Sequence, residues 1–533
     1  MSTLVLLLAC TAQQPTTPPA TPTPPPVADI EHARPEAIYF VLVDRFSSAL
    51  PDPPGTIDKA DPQAFHGGDI DGVTAHLDHI ADLGFTAIWL SPVWEMRTEK
   101  LKEWGAFHGY WVRDLASVEP RFGDEAALRK LSDELHKRDM RLYLDIVWNH
   151  VSFDSPLREQ KPSWFHPSHG IEDWDDPIQR VTHEVHGLPD LAQENPEVEA
   201  FLSKQSLGWI DRVNPDGFRV DAVRHMPLDF QKRMGDAARS QSKRDFRLIG
   251  EVFDGDPIHL QKDWAGGGFD HVFDFPLRYA MIDVFCKGAH PGRLGAVLTQ
   301  DHHYADAGKL VTMLDNHDLS RVMSECGGDI NKVGTALQFL FSTRGIPSVT
   351  YGTEVGLEGM EEPANRADMR FEPHFLQTTI RQGLDNRAHY PALADGQTII
   401  EGLSDTELQL VRVHETGAVR VFVRRDGIRL QTGVPAPAPV ATSTRTVIVT
   451  AEGLPEGTRA VVTGSGLVLG NWNLDKAPAL VNGEASFDVP VPGVVEVKLA
   501  LRGEPDVWQD GANHYRFIDP GPGPVRIPIK WAP

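Results

Sequence analysis

Along the chain, short apolar runs alternate with longer segments whose apolar residues recur every three or four positions. The runs are AIYFVLVD from Ala37, TAIWLSP from Thr86, RLYLDIVWNH from Arg141, GFRVDAV from Gly217, FRLIGEV from Phe246, HVFDFP from His271, KLVTMLDNHD from Lys309 and PSVTYGTE from Pro347. They lack strict polar–apolar alternation, the pattern of parallel strands buried on both faces. Between them, GVTAHLDHIADLG, DEAALRKLSDELHKR and NPEVEAFLSKQSLGWIDRV carry helical periodicity. Eight strand–helix units predict an α/β chain folded as a (β/α)8 barrel of TIM type over residues 35–376. Residues 151–195 are too many for an ordinary βα connection and read as a small domain inserted after the third strand.

After the barrel, residues 377–431 read as a short β-domain. TGVPAPAPVATST, residues 432–444, reads as a linker because three prolines alternate with small residues. From 445 to 533 the pattern becomes β-like. TVIVTAEG, RAVVTG, ASFDVPV, VEVKLAL and VRIPIKW are short alternating strands of a C-terminal all-β sandwich.

Composition narrows the partners. Basic residues number 51 and acidic ones 75, a net charge of −24, which argues against nucleic acid or an anionic lipid surface. Cys10, Cys286 and Cys326 are the only cysteines, so a disulfide framework and a four-thiolate zinc site are both excluded. Whether Cys286 and Cys326 pair stays open from sequence. The first ten residues end in Leu7-Leu8-Ala9-Cys10, which resembles a bacterial lipobox with Cys10 as the acylated residue. Seven of the twelve residues from Pro15 to Pro26 are proline, so 11–34 reads as an extended spacer. The expectation is an exported protein, lipid-anchored at the bacterial surface or else secreted, touching membrane only through Cys10.

The polar residues show where chemistry belongs. Asp145, Asn149, His150, Arg219, Asp221, Glu251, His317 and Asp318 all fall at the C-terminal ends of the apolar runs. In a barrel of this kind that rim carries the active site.

Eight motifs in order, GFTAIWLSPV, HGYW, DIVWNH, GLPDL, GFRVDAVRH, GEV, LDNHD and GIPSVTYGTE, resemble the α-amylase family, glycoside hydrolase family 13, from Ala37 to about Ala394. The resemblance implies Asp221 as nucleophile, Glu251 as general acid/base and Asp318 as the third carboxylate, which grips the sugar hydroxyls. It implies Tyr110, His150, Arg219, His225 and His317 around the same sugar. It also implies a Ca2+ ion held by Asn149, Asp190 and the backbone of His225, with one of Glu172, Asp173, Asp175 and Asp176 as a possible further ligand. The chemistry suits the residue types, since a retaining glycosidase needs one nucleophilic and one proton-donating carboxyl.

Region two ends Arg224-His225, as in α-amylases and cyclodextrin glucanotransferases, but Leu228 stands where the glucanotransferases carry an aromatic. That departure favours water as acceptor. LGNWNLDKAPAL and VWQDGANHYRF resemble a starch-binding module of carbohydrate-binding family 20, which implies Trp472 and Trp508 as a stacking platform with Asn513 bonding the sugar. The reading is an α-amylase cleaving internal α-1,4 bonds of starch and maltooligosaccharides. Its alternatives are a cyclomaltodextrin-type transglycosylase or maltogenic hydrolase, and an inactive surface starch-binding protein.

Overall fold

A computed structural model describes residues 34–51, 57–437 and 443–532. Cys10, the proline-rich stretch up to residue 33 and residues 438–442 of the expected linker lie outside the described residues. No described helix is long and apolar enough to cross a membrane.

Eight short strands form the centre: β1 (Ile38–Val41), β2 (Ala87–Leu90), β3 (Arg141–Ile146), β4 (Gly217–Val220), β5 (Arg247–Gly250), β6 (His271–Val272), β7 (Val311–Met313) and β8 (Ile346–Thr350). Each coincides with one of the apolar runs. Hydrogen bonding follows the order β6-β5-β4-β3-β2-β1-β8-β7, every pair is parallel, and a parallel bridge from Phe273 to Val311 joins the two ends. The sheet is therefore a closed barrel, and its strands are almost wholly buried because helices cover the outside.

The helices begin and end where side chains dictate. Asp124 accepts from the Ala127 amide at 2.8 Å and starts Glu125–His136, which buries Leu128, Leu131 and Leu135. Each buried leucine contributes about 1.5–3 kcal/mol. Asn195 and Asp256 cap the helices Pro196–Val213 and Pro257–Gly267 in the same way.

Residues 151–195 hold only short helices, Leu157–Gln160 and Pro177–Thr182 among them; an isolated bridge from His150 to Asp190 ties the segment back to the barrel, and one from Phe165 to Leu191 closes it on itself. Cys286 and Cys326 are joined as a disulfide, which answers the pairing left open by the sequence.

Both bounds of the expected β-domain differ from the sequence reading. Residues 377–389 belong to the helix Phe375–His389, and the antiparallel four-stranded sheet starts at Gln397 and runs to Val434. Leu376, Ile380 and Leu384 are spaced as one buried helix face and decide the matter.

Residues 443–530 form two sheets that enclose a shared core of Val447, Val462, Phe487, Leu499 and Ile529, among others. This C-terminal unit is packed onto the barrel helix Gly292–Thr299. Arg293 donates to the buried Glu496 at 2.9 Å, the Val494 amide donates to Thr299 Oγ1 at 2.8 Å, and His290 stacks on Tyr515 with centroids 4.8 Å apart. Residues 35–533 group as one compact unit, and of the expected linker 432–434 end the four-stranded sheet while 443–444 begin the first strand of the C-terminal unit.

Candidate active site

The rim of the barrel opens into a cleft of about 1660 Å3 whose floor is polar. Its centre is Arg219, the third residue of β4, whose side chain is fully buried. Arg219 Nη1 donates to Asp145 at 3.0 Å and to Asp221 Oδ1 at 2.9 Å, and Nη2 lies 2.6 Å from Glu251 Oε1. One guanidinium thus contacts three carboxyls from the ends of β3, β4 and β5.

Local backbone aims these groups. Asp221 is followed by Ala222 at φ 52°, a left-handed conformation that costs a non-glycine residue roughly 1–3 kcal/mol and is found at functional sites. The turn points the Ala222 amide at Glu251 Oε2, 3.1 Å away, so nucleophile and acid candidates are tied through one peptide. Tyr110 is delivered by Gly109 at φ 91°, where a Cβ would sit 2.2 Å from the Pro92 carbonyl oxygen. Its hydroxyl donates to Asp145 Oδ2 at 2.8 Å, and its ring lies parallel to His317, 4.9 Å away and 3° from coplanar.

The electrostatics separate the carboxyls. Burial pushes Glu251 up to about 8; Arg219 opposes that rise, while Asp221 and Asp318 reinforce it. Burial likewise pushes Asp318 up, but His317, Arg366 and Arg219 outweigh it and hold the group below the usual carboxylate range. Burial lowers His317 to about 3 and His225 to about 4, so both rings are neutral near pH 7. Arg219 stays cationic: burial disfavours its charge, yet Asp145, Glu251, Tyr110 and Asp221 overcome that penalty. Paired carboxyls pushed apart in this way can serve as acid and as anion at one pH.

The structure gathers Asp221, Glu251, Asp318, Tyr110, His150, His225 and His317 around the one cleft, with Arg219 beneath them. His150 Nε2 donates to the Tyr110 carbonyl oxygen at 3.1 Å. Asn149, Asp190 and His225 meet beside the cleft, where the Asn149 amide faces the His225 carbonyl oxygen at 2.7 Å and Asp190 Oδ1 at 3.3 Å. The acids at 172–176 have local bonds: Asp176 caps Pro177–Thr182, and Asp173 accepts from the Asp175 amide. Among the described residues no cluster of three His, Cys, Asp or Glu could hold a metal, so any ion here would need amide and carbonyl oxygens beside the Asp190 carboxylate.

Trp472 and Trp508 lie in the C-terminal unit with ring centroids 6.5 Å apart, and Trp508 is 41% exposed. Asn513 is partly committed elsewhere, since its Nδ2 donates to Glu496 at 2.7 Å.

Sequence reasoning placed Asp145 at the rim without a role; it is the anchor that accepts from Trp89, Tyr110 and Arg219. Reasoning from motifs missed Arg366, which donates to Asp318 Oδ1 at 3.1 Å from a 3-10 turn at Ala364–Arg366. It also missed Trp104, Trp174 and Phe253, exposed aromatics that line the cleft. Large exposed rings around a concave polar floor were the one available signal for those three.

A parallel barrel with carboxyls clustered at its C-terminal rim, Glu251 pushed up and Asp318 held down, has the layout of a glycosidase. The family description "Alpha amylase, catalytic domain" matches residues 40–390. An intracellular maltogenic amylase of Bacillus subtilis (strain 168) is 31% identical over 358 residues, 63% of this chain and 58% of that protein. A cyclomaltodextrinase of a Bacillus species is 31% identical over 377 residues, 65% of each chain. Among solved structures, an Anoxybacillus α-amylase superposes with a TM-score of 0.70 at 31% identity, over 85% of this chain and 95% of that one. The chain belongs to the α-amylase family of glycoside hydrolases. It spans about a third to two thirds of the length of the curated relatives it matches.

Proposed function

We propose that the protein is a retaining α-glucan hydrolase acting on maltodextrins and related α-1,4-linked oligosaccharides. One observation carries the reading: Asp221 and Glu251 approach the two terminal nitrogens of the same buried guanidinium on the floor of the cleft. That arrangement supports the short separation of a double-displacement pair, about 5–5.5 Å, over the wider spacing that inversion needs.

Asp221 attacks the anomeric carbon while Glu251 transfers its proton to the departing glycosidic oxygen. The covalent glucosyl–Asp221 ester is then opened by water, whose proton returns to Glu251, so acid and nucleophile are both regenerated. Asp318, braced by Arg366 and His317, accepts hydrogen bonds from the hydroxyls of the same ring, and Tyr110 stacks beneath it.

The names of the relatives favour a maltogenic or cyclodextrin-degrading enzyme over the internal starch cleavage expected from sequence. Internal cleavage stays as the second reading because of the neighbouring Trp472 and Trp508, the first half-buried and the second exposed, which support a glucan platform on the C-terminal unit. Both are tested by following iodine colour, reducing ends and products from amylose together. Maltose from the outset, with colour persisting, supports the first reading; collapse of colour ahead of reducing ends supports the second; no change in either signal removes both. On starch granules, Trp472→Ala with Trp508→Ala is expected to weaken binding about ten-fold, or 1.4 kcal/mol. Unchanged granule binding would remove the platform.

A calcium ion fits at Asn149, Asp190 and the His225 carbonyl. The Asn149 amide lies 2.7 Å from the His225 carbonyl oxygen and 3.3 Å from Asp190 Oδ1, and these groups would offer a hard cation oxygen ligands with the amide oxygen turned toward it. The ion would tie residues 151–195 to the barrel and supply binding free energy to the fold. Chelation is expected to lower the melting temperature of the wild type and to leave Asp190→Ala unaffected; equal behaviour of the two would remove the ion.

A further inference from the structure

The cleft is not built by the barrel alone. Asn471, Asn473 and Lys476 of the C-terminal unit line it together with Glu251, Phe253 and Asp256. They stand in one tight loop with left-handed backbone at three successive residues, Gly470, Asn471 and Trp472, at φ 77°, 47° and 69°. Asparagine tolerates that conformation, whereas for tryptophan it is an outlier that the surrounding structure must enforce. The loop is pinned across the cleft: Asn471 Nδ2 donates to Asp256 Oδ2 at 2.9 Å, and Asp256 is itself the cap of the helix Pro257–Gly267. The packing of Glu496 on Arg293 holds the rest of the unit against the barrel.

Two side chains of this wall are largely uncommitted. Asn473 and Lys476 are exposed. Among the described residues, the Lys476 ammonium and the Asn473 amide nitrogen have no hydrogen-bond partner, while Asn473 Oδ1 accepts only from the Asp475 amide. Which half of a bound glucan they meet follows from the chemistry. Glu251 is the proposed proton donor to the leaving oxygen, and Phe253, Asp254 and Asp256 line the cleft beside it, which assigns them to the leaving half of the substrate in this reading. The wall is bonded to Asp256.

We propose that Asn473 and Lys476, on the loop fixed by Asn471, form a distal leaving-group subsite of the catalytic cleft for an α-1,4-glucan. The inference rests on the hydrolase reading above and gives the C-terminal unit a part in cleavage itself. An ammonium and a carboxamide suit this task, because glucose hydroxyls offer acceptor oxygens in several orientations. A leaving group long enough to reach the wall gains these bonds; a short one does not.

The test compares maltoheptaose with 4-nitrophenyl α-maltotrioside, whose small aglycone cannot reach the loop. In the full-length Asn473→Ala/Lys476→Met variant, the ratio of kcat/KM for the long substrate to that for the short one is expected to fall about ten-fold. The products of maltoheptaose should shift toward shorter leaving fragments. A ratio within about two-fold of wild type overturns the subsite while leaving the hydrolase reading intact. If the wild type turns over neither substrate, the hydrolase reading fails, and the subsite is judged by maltoheptaose calorimetry in a Trp508→Ala background. There, affinity unchanged by the double variant overturns it and about ten-fold weaker binding supports it.

Discussion

Glu251→Gln is expected to lower kcat on maltooligosaccharides by about 10²–10⁴-fold, the weight of a positioned proton donor, while the fold stays intact. Glutamine reproduces the shape of the protonated acid but has no proton to give. On a substrate whose leaving group departs without protonation, such as an α-maltosyl fluoride, the loss in kcat/KM and in the first burst of fluoride should shrink greatly, while steady-state kcat stays low because the amide cannot take the proton of the ester-opening water. Asp221→Asn should instead lose both substrates, because no carboxylate remains to form the ester.

The wild type adds a pH signature. With Glu251 pushed up to about 8, kcat/KM should hold through neutrality and fall as pH rises past that value. The sign for stability follows from the same shift. A carboxyl raised in the folded state favours folding fully below its ordinary value, and that contribution is lost as pH rises through the folded value. The amide introduced by Glu251→Gln does not titrate, so the variant should gain on the wild type in melting temperature between about pH 4.5 and 8. Equal losses of kcat/KM on fluoride and oligosaccharide would take the acid role away from Glu251.

The barrel was legible because its strands are short and dry. A strand such as Ile38–Val41, buried on both faces, must be apolar throughout, and its first polar neighbours mark where it meets the rim. Asp221, Glu251 and Asp318 were visible for that reason before any coordinates. Arg366 was not, because it reaches Asp318 from a turn 48 residues further on, and no local pattern records such a bond.

The packing of the C-terminal unit was hidden for a similar reason. Glu496 sits in VVEVKLAL, where alternation marks it as an outward position. The structure turns that position onto Arg293 of the barrel, which an isolated strand pattern cannot register. The helix Phe375–His389 escaped because Thr378, Thr379 and Ile380 give its middle a β-branched stretch. Its buried face settles its form only once the barrel helices it covers are in place.

Arg219→Met is expected to destabilise the fold by about 3–5 kcal/mol, the cost of removing one partner from a buried ion cluster. The side chain is fully buried and meets Asp145, Asp221 and Glu251 at once, so its loss leaves like charges facing one another in a dry site. Asp145 and Glu251 already lie near 7 and 8 because burial disfavours their ionised forms. Without the guanidinium both move higher, and the protein escapes part of the penalty by keeping them protonated. The variant should therefore lie closer to wild type at pH 5 than at pH 8, because at the higher pH it must either hold those protons against the solvent or bear the charges without their partner. Denaturant unfolding at both values reads the difference directly. Arg219→Lys restores the charge but not the planar fork, and one compact ammonium cannot address three carboxyls in fixed directions. It should recover much of the stability and little of the turnover. A loss that is the same at pH 5 and pH 8 would assign Arg219 a packing role and leave the carboxyls to be held apart by the backbone bond from Ala222 to Glu251.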